Sequence, residues 1–162
     1  MPAGTMVNGV KDVLAVALEI LESAQEEVIW LVPASINSLS ITHGFLEKTR
    51  AFVQRGGVSR GIVPISHANV KEIQMSLAIG EDIRHSDAVH ELFMYIGDRR
   101  QSISAINVGI TEFTLDTPGI AFWSESATYV EYLLASFETV WPQAVPAEER
   151  IRELLGEEVE QH

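Results

Sequence analysis

Apolar residues recur every three to four positions over residues 9–25, where Val10, Val13, Leu14, Ala17, Leu18 and Leu21 form one stripe and Glu19 and Glu22 lie off it. This spacing predicts an amphipathic helix. The next segment, Val28-Ile29-Trp30-Leu31-Val32, is continuously apolar and closed by Pro33. A run with no polar alternation is expected of a central parallel strand buried on both faces. A second helical face, Phe45, Leu46, Thr49, Phe52 and Val53, predicts a helix over residues 40–55, ended by Gly56-Gly57. Val58 to Ile65 then reads as a strand, so helix, glycine and strand together predict a β-α-β unit.

Helical spacing returns over residues 68–79 through Val70, Ile73 and Leu77, and Gly80 stops it. Residues 81–84 read as a short edge strand. Leu92 to Ile96 reads as an apolar strand, Gly97 to Arg100 as a turn, and Ser102 to Val108 as the hairpin partner. A loop over residues 111–118 leads to a last strand, Ile120 to Trp123. Ser124 or Ser126 is placed to cap a helix carrying Val130, Leu133, Leu134, Phe137, Val140 and Trp141 on one face, and Thr128 with Glu131 has capping-box spacing. After Pro142 and Pro146, residues 147–156 form a closing helix with Ile151, Leu154 and Leu155 inward, and an acidic frayed tail over residues 157–162. This order predicts an α/β fold, a mixed, mostly parallel sheet flanked by helices on both faces, in one domain over residues 1–156.

Charge and composition narrow the function. The net charge of -12 repels phosphate backbones, so no direct nucleic-acid binding is expected. With no cysteine, disulfide and thiolate chemistry are excluded. No secretory leader and no apolar run of membrane-spanning length are read, so the expected setting is cytoplasmic, away from membranes. His85, Asp87, His90 and Glu91 lie close together but match no metal-binding spacing, and neither a metal nor another cofactor is expected. Trp30, Trp123 and Trp141 sit in strongly patterned elements and are expected in the core.

Three passages together resemble one half of the phospholipase D superfamily. The first is Glu27 to Pro33 followed by a helix and then Arg55-Gly56-Gly57-Val58-Ser59-Arg60-Gly61-Ile62-Val63. The second is Phe93-Met94-Tyr95-Ile96-Gly97-Asp98 followed by Ile103-Ser104-Ala105-Ile106-Asn107, similar to the strand–turn–strand of the family's H-x-K-x4-D signature. The third is Gly119 to Trp123 followed by Phe137-Glu138-Thr139-Val140-Trp141, similar to the closing part of PLD-like sensor domains in TrmB-type archaeal regulators.

In the family's enzymes a histidine attacks phosphorus, a lysine neutralises the phosphoryl oxygens and an aspartate supports the histidine. With Asp98 at the aspartate position, Glu91 takes the place of the histidine and Phe93 that of the lysine. A carboxylate repels an anionic phosphodiester and a phenyl ring donates nothing to it. His90 is one residue out of step and would face the other side of the strand. Glu91 and Asp98 would stand roughly 20 Å apart along a strand, too far to act as a carboxylate pair; Asp98 reads as a turn residue.

The resemblance therefore implies a domain without catalysis, expected to sense or regulate and to form a homodimer that reproduces the side-by-side halves of the enzymes. Its partner would be a small-molecule ligand or a protein. The alternatives are a structural or interaction module without a ligand, with the acidic closing helix as one contact surface, or a degenerate phosphodiesterase. Ligands of open α/β sheets bind beyond the carboxyl ends of parallel strands. Ser35, Ser66 and His67 fall there, and Glu91 and Asn107 fall where the family's signature lies, so these five are the expected ligand-binding residues.

Overall fold

The computed structural model describes residues 4–88, 91–107, 110 and 112–160, the last four by backbone alone. His90, His162 and the predicted strand end at Val108 lie outside them. One eight-stranded sheet runs in the order β1-β7-β6-β5-β2-β3-β4-β8. Its strands are β1 (Thr5–Asn8), β2 (Glu27–Leu31), β3 (Val58–Val63), β4 (Asp82–His85), β5 (Leu92–Gly97), β6 (Gln101–Ile106), β7 (Ile120–Ser124) and β8 (Val145–Pro146). The helices are α1 (Val10–Ser23), α2 (Ala34–Thr42), α3 (Phe45–Gln54), α4 (Val70–Ala78), α5 (Ala127–Val140) and α6 (Ala147–Glu160), with a 3-10 turn at Trp141–Gln143.

The sheet is mixed but mostly antiparallel, which corrects the expectation of a mostly parallel one. Only β2–β3 and β3–β4 pair in parallel, while the β1–β7, β2–β5, β5–β6, β6–β7 and β4–β8 pairs are antiparallel. A parallel pair needs a long crossover. Between strands that end up as neighbours, the chain supplies one where α2 and α3, and then α4, intervene; the crossovers through α1 and α5 join strands that are not neighbours in the sheet, and the β5–β6 and β6–β7 connections reverse the chain. The strand over residues 81–84 is displaced by one residue and lies inside the sheet, since β8 pairs with its outer side. Neither β1 nor the two-residue β8 was expected, and Ile120–Ser124 is therefore not the last strand.

Residues 40–55 form parts of two helices rather than one. Gly44 takes a left-handed conformation at φ 97 and separates α2 from α3. At the other end, Gly56 at φ 100 ends α3 as expected.

Helices cover both faces. Val28 and Trp30 of β2 and Val32 just after it, with Phe93 and Tyr95 of β5, point toward α1 and α3 and join the larger core cluster. The alternate residues Ile29, Leu31, Met94 and Ile96 pack against Val130, Leu133, Leu134 and Phe137 of α5. This two-sided burial explains the unbroken apolar runs of β2 and β5. Ser126 caps α5 by accepting from the Tyr129 N–H at 3.4 Å. Ile151 and Leu154 of α6 are buried, whereas Leu155 is exposed. The helix runs through Gly156 to Glu160, past the point where a frayed tail was expected.

Candidate functional site

All five expected ligand-binding residues lie at the end of the sheet where β2 and β3 terminate. Ser35 stands in the first turn of α2, set there by Pro33, and its Oγ accepts from the Phe113 N–H at 3.1 Å. Ser66 follows β3: its Oγ accepts from the Ala68 N–H at 3.2 Å, and its own N–H donates to Asn69 Oδ1 at 2.9 Å. Asn69 also donates from Nδ2 to the Pro64 carbonyl at 2.8 Å, so the turn carrying Ser66 and exposed His67 is tied to the start of α4. Glu91 and Asn107 face one another across the mouth of the β5–β6 hairpin, where the Asn107 N–H donates to the Glu91 carbonyl at 2.7 Å.

The end of the sheet is divided by Phe113. On its outer side lies an open groove of about 410 Å³, lined by Ser35, Asn69, Glu72 and Glu112. On its inner side a cavity of about 30 Å³ under Val10 and Leu14 reaches Asn107. Ser66, His67 and Glu91 line neither. The groove's two carboxylates, with no lysine or arginine among its lining, make it a poor seat for a phosphodiester.

At the opposite end of β5 stands Asp98. Its Oδ2 accepts from the Gln25 N–H at 2.8 Å, and its Oδ1 from the N–H groups of Glu26 and Glu27 at 2.8 and 3.0 Å. Burial alone would raise its pKa; the three backbone donors outweigh that, Arg100 adds to their effect, and the net shift is downward. Asp98 and Arg99 take left-handed conformations at φ 51 and 57, and Arg99 Nε holds Glu27 Oε1 at 2.6 Å. The turn reading of Asp98 thus gains a definite role: its carboxylate stitches the hairpin to the start of β2 and is fully occupied there. Phe93 is 3% exposed and packs in the core.

His85 sits on β4 and is buried. Its Nδ1 accepts from the Ile65 N–H at 2.8 Å, which leaves Nε2 as the protonated nitrogen, 3.4 Å from Asp87 Oδ2. Burial, the largest effect, pushes its pKa down despite Asp87. Among the described residues no group of three or more His, Asp or Glu could hold a metal ion.

One polar cluster gave no sign of itself in the sequence. Trp30 Nε1 donates to Ser59 Oγ at 3.1 Å, and Ser59 donates to Glu81 Oε1 at 2.6 Å. Burial raises the Glu81 pKa, against the lowering effect of hydrogen bonds from Ser59, Ser76 and Trp30. Tyr95 is pushed well above its ordinary value by burial and then by the nearby Glu81. Glu81 reads in the sequence as part of an exposed edge strand. It lies just before β4 instead, and its side chain turns toward Ser59 of β3, Ser76 of α4 and Trp30.

No protein-family model matches the chain, and no curated protein sequence matches it either. Solved structures do. The archaeal chromatin protein TrmBL2, described as showing a novel mode of DNA binding, is 18% identical with a TM-score of 0.69 over 90% of this chain and 55% of its own. This chain thus spans about half the length of that protein. Nuc from Salmonella typhimurium, a phospholipase D family member, is 12% identical with a TM-score of 0.67 over 88% of this chain and 97% of its own. NucT from Helicobacter pylori is 11% identical with a TM-score of 0.63 over 88% and 99%. No helix among the described residues is long and apolar enough to cross a membrane. The strand order, the hairpin pinned by Asp98 and these likenesses together give the chain a phospholipase D-like fold, shared with the TrmB-like protein TrmBL2.

Proposed function

We propose that the chain is a non-catalytic, cytoplasmic PLD-like domain that senses or regulates as a homodimer, taking a small ligand or a protein partner at the carboxyl end of its parallel strands and making no direct contact with nucleic acid. What supports this reading is the buried phenyl ring of Phe93 on β5: with Asp98 aligned to the family's aspartate, as the resemblance implies, Phe93 and Glu91, just before the strand, would take the places where attack on phosphorus requires an ammonium and an imidazole. The acidic groove beside Ser35 points the same way. The test is hydrolysis of bis-p-nitrophenyl phosphate by purified protein. No turnover above the uncatalysed rate is expected; turnover that disappears in His90→Ala would overturn the reading.

The dimer has its own support. Met6, Ile106, Ile120 and Tyr132 are 56%, 70%, 60% and 68% exposed and frame one groove of about 390 Å³ with no charged residue in its lining. An apolar cluster of this kind marks an interaction surface. On a chain with a net charge of -12 it is the place where a second copy can approach without meeting carboxylates. Light scattering on the eluted protein is expected to give twice the chain mass, and a monomer at high micromolar concentration would exclude the dimer.

A further inference from the structure

Beneath α1, α2 and α3 lies a cavity of about 40 Å³ whose walls include the rings of Trp30, Phe45, Phe93 and Tyr95. It has room for roughly three waters. Two polar groups in its wall are incompletely served. Asn37 is 7% exposed, and its Nδ2 has no hydrogen-bond partner. Glu81 accepts from Ser59 and neighbouring donors, yet among the described residues no lysine, arginine or histidine pairs with it. A half-buried carboxylate without a countercharge carries a desolvation cost, and a well-packed apolar core would leave neither group there.

The charge of the site selects its occupant. An anion would meet Glu81 with no cation in the lining to offset it. A neutral apolar guest would leave Asn37 Nδ2 without a partner and Glu81 without a countercharge. A small cation answers Glu81 directly and is attracted by the negative faces of aromatic rings. With its nitrogen unheld, the Asn37 amide can turn by half a rotation to present its oxygen to an ammonium proton. The half-exposed Ser40, Ile41 and Leu46, at the corner between α2 and α3, line the outer part of the cavity and give such a group its way in.

We infer that this cavity is a binding site for a small organic cation, an ammonium or methylated ammonium group seated between the Glu81 carboxylate and the rings of Trp30, Phe45, Phe93 and Tyr95. It is separate from the groove beside Ser35 and depends neither on the dimer nor on the loss of catalysis. The experiment follows the Trp30 indole N–H by NMR while methylammonium, trimethylammonium and neutral tert-butanol are titrated at constant ionic strength. Saturable shifts with the ammonium ions and none with tert-butanol are expected, and Glu81→Gln should weaken the binding at least about tenfold. Should that variant fail to fold, a crystal structure of the unaltered protein grown with trimethylammonium decides the matter by showing the ion against Glu81 or elsewhere. No saturable shift, equal shifts from tert-butanol, unchanged affinity in Glu81→Gln, or an ion seated away from Glu81 would each overturn the inference.

Discussion

Trp30 and Gly61 are partners across the parallel β2–β3 pair, and the indole of Trp30 occupies the space that a side chain at position 61 would need: a Cβ there would stand 2.0 Å from the ring. The contact fixes where the indole lies and therefore lets its Nε1 reach Ser59, two residues before Gly61 on the same face of β3.

Gly61→Ala is expected to destabilise the protein by about 2 kcal/mol or more, because the added methyl meets a ring that is itself 5% exposed and would have to give up its Nε1 bond to Ser59 to move aside. Urea unfolding measures it. A change below about 0.5 kcal/mol would mean that Trp30 moves freely.

Asp98→Ala removes the acceptor of three backbone N–H groups and is expected to cost about 1–2 kcal/mol, on the scale of a lost helix cap. The pH dependence has a definite sign. A carboxyl with a lowered folded pKa contributes stability that is present above its ordinary value of 3.8 and lost as pH falls through the folded value. The variant should lack that share of acid destabilisation in thermal melts below about pH 4.

Glu81 has the opposite sign. Its folded pKa is raised, so its contribution is complete below the ordinary 4.5 and is lost as pH rises through the folded value. Glu81→Gln keeps an acceptor for Ser59 and removes the buried charge. It should raise the melting temperature at neutral pH and give no gain near pH 4. An equal gain at both would show that charge is not the cause.

His85 is held neutral by burial and by its bond from the Ile65 N–H. Its folded pKa lies below the ordinary 6.5, so its contribution is present above that value and lost as pH falls through the folded one. His85→Gln, which can still accept from Ile65, should flatten the fall in stability as pH drops below the ordinary 6.5, read by thermal melts.

Ile106→Glu and Tyr132→Glu each place a carboxylate in the uncharged groove beside Met6 and Ile120. Each is expected to shift the protein to monomer in light scattering with melting temperature changed little, since both side chains are mostly exposed. A dimer that survives both changes lies elsewhere on the surface.

What could be read from the sequence was what repeats with a period. The stripe from Val10 to Leu21 and the apolar runs at Val28 and Leu92 carry their burial in their spacing, and each appears as an element close to its expected limits. The helix Ala34–Thr42 was missed because ASINSLSIT buries only Ile36 and Asn37 and shows no stripe. The short β1 and β8 hold their places through partners far along the chain, and no local pattern announces such partners. Glu81 was misjudged for the same reason: its burial depends on what lies on top of it. Ser35, Ser66 and His67 lie at the end of the sheet that strand direction gave them, and Glu91 and Asn107, chosen from the family's signature, lie at the same end.

The pairing of Thr5 with Trp123 has a kinetic consequence. β1 precedes every other strand in the chain, yet its hydrogen-bonding partner is a strand synthesised after nearly all the rest. The segment from α1 to β4 is built from contacts between neighbouring elements and can assemble early, whereas β1 must wait unpaired until residues 120–124 arrive, with loop closure over most of the chain to overcome. Once β7 has formed, and until that closure is made, its outer side is an open template, and the same four-residue strand from another molecule can fill it. Refolding at high concentration should therefore favour exchange of β1 between copies, while slow refolding at high dilution keeps it at home.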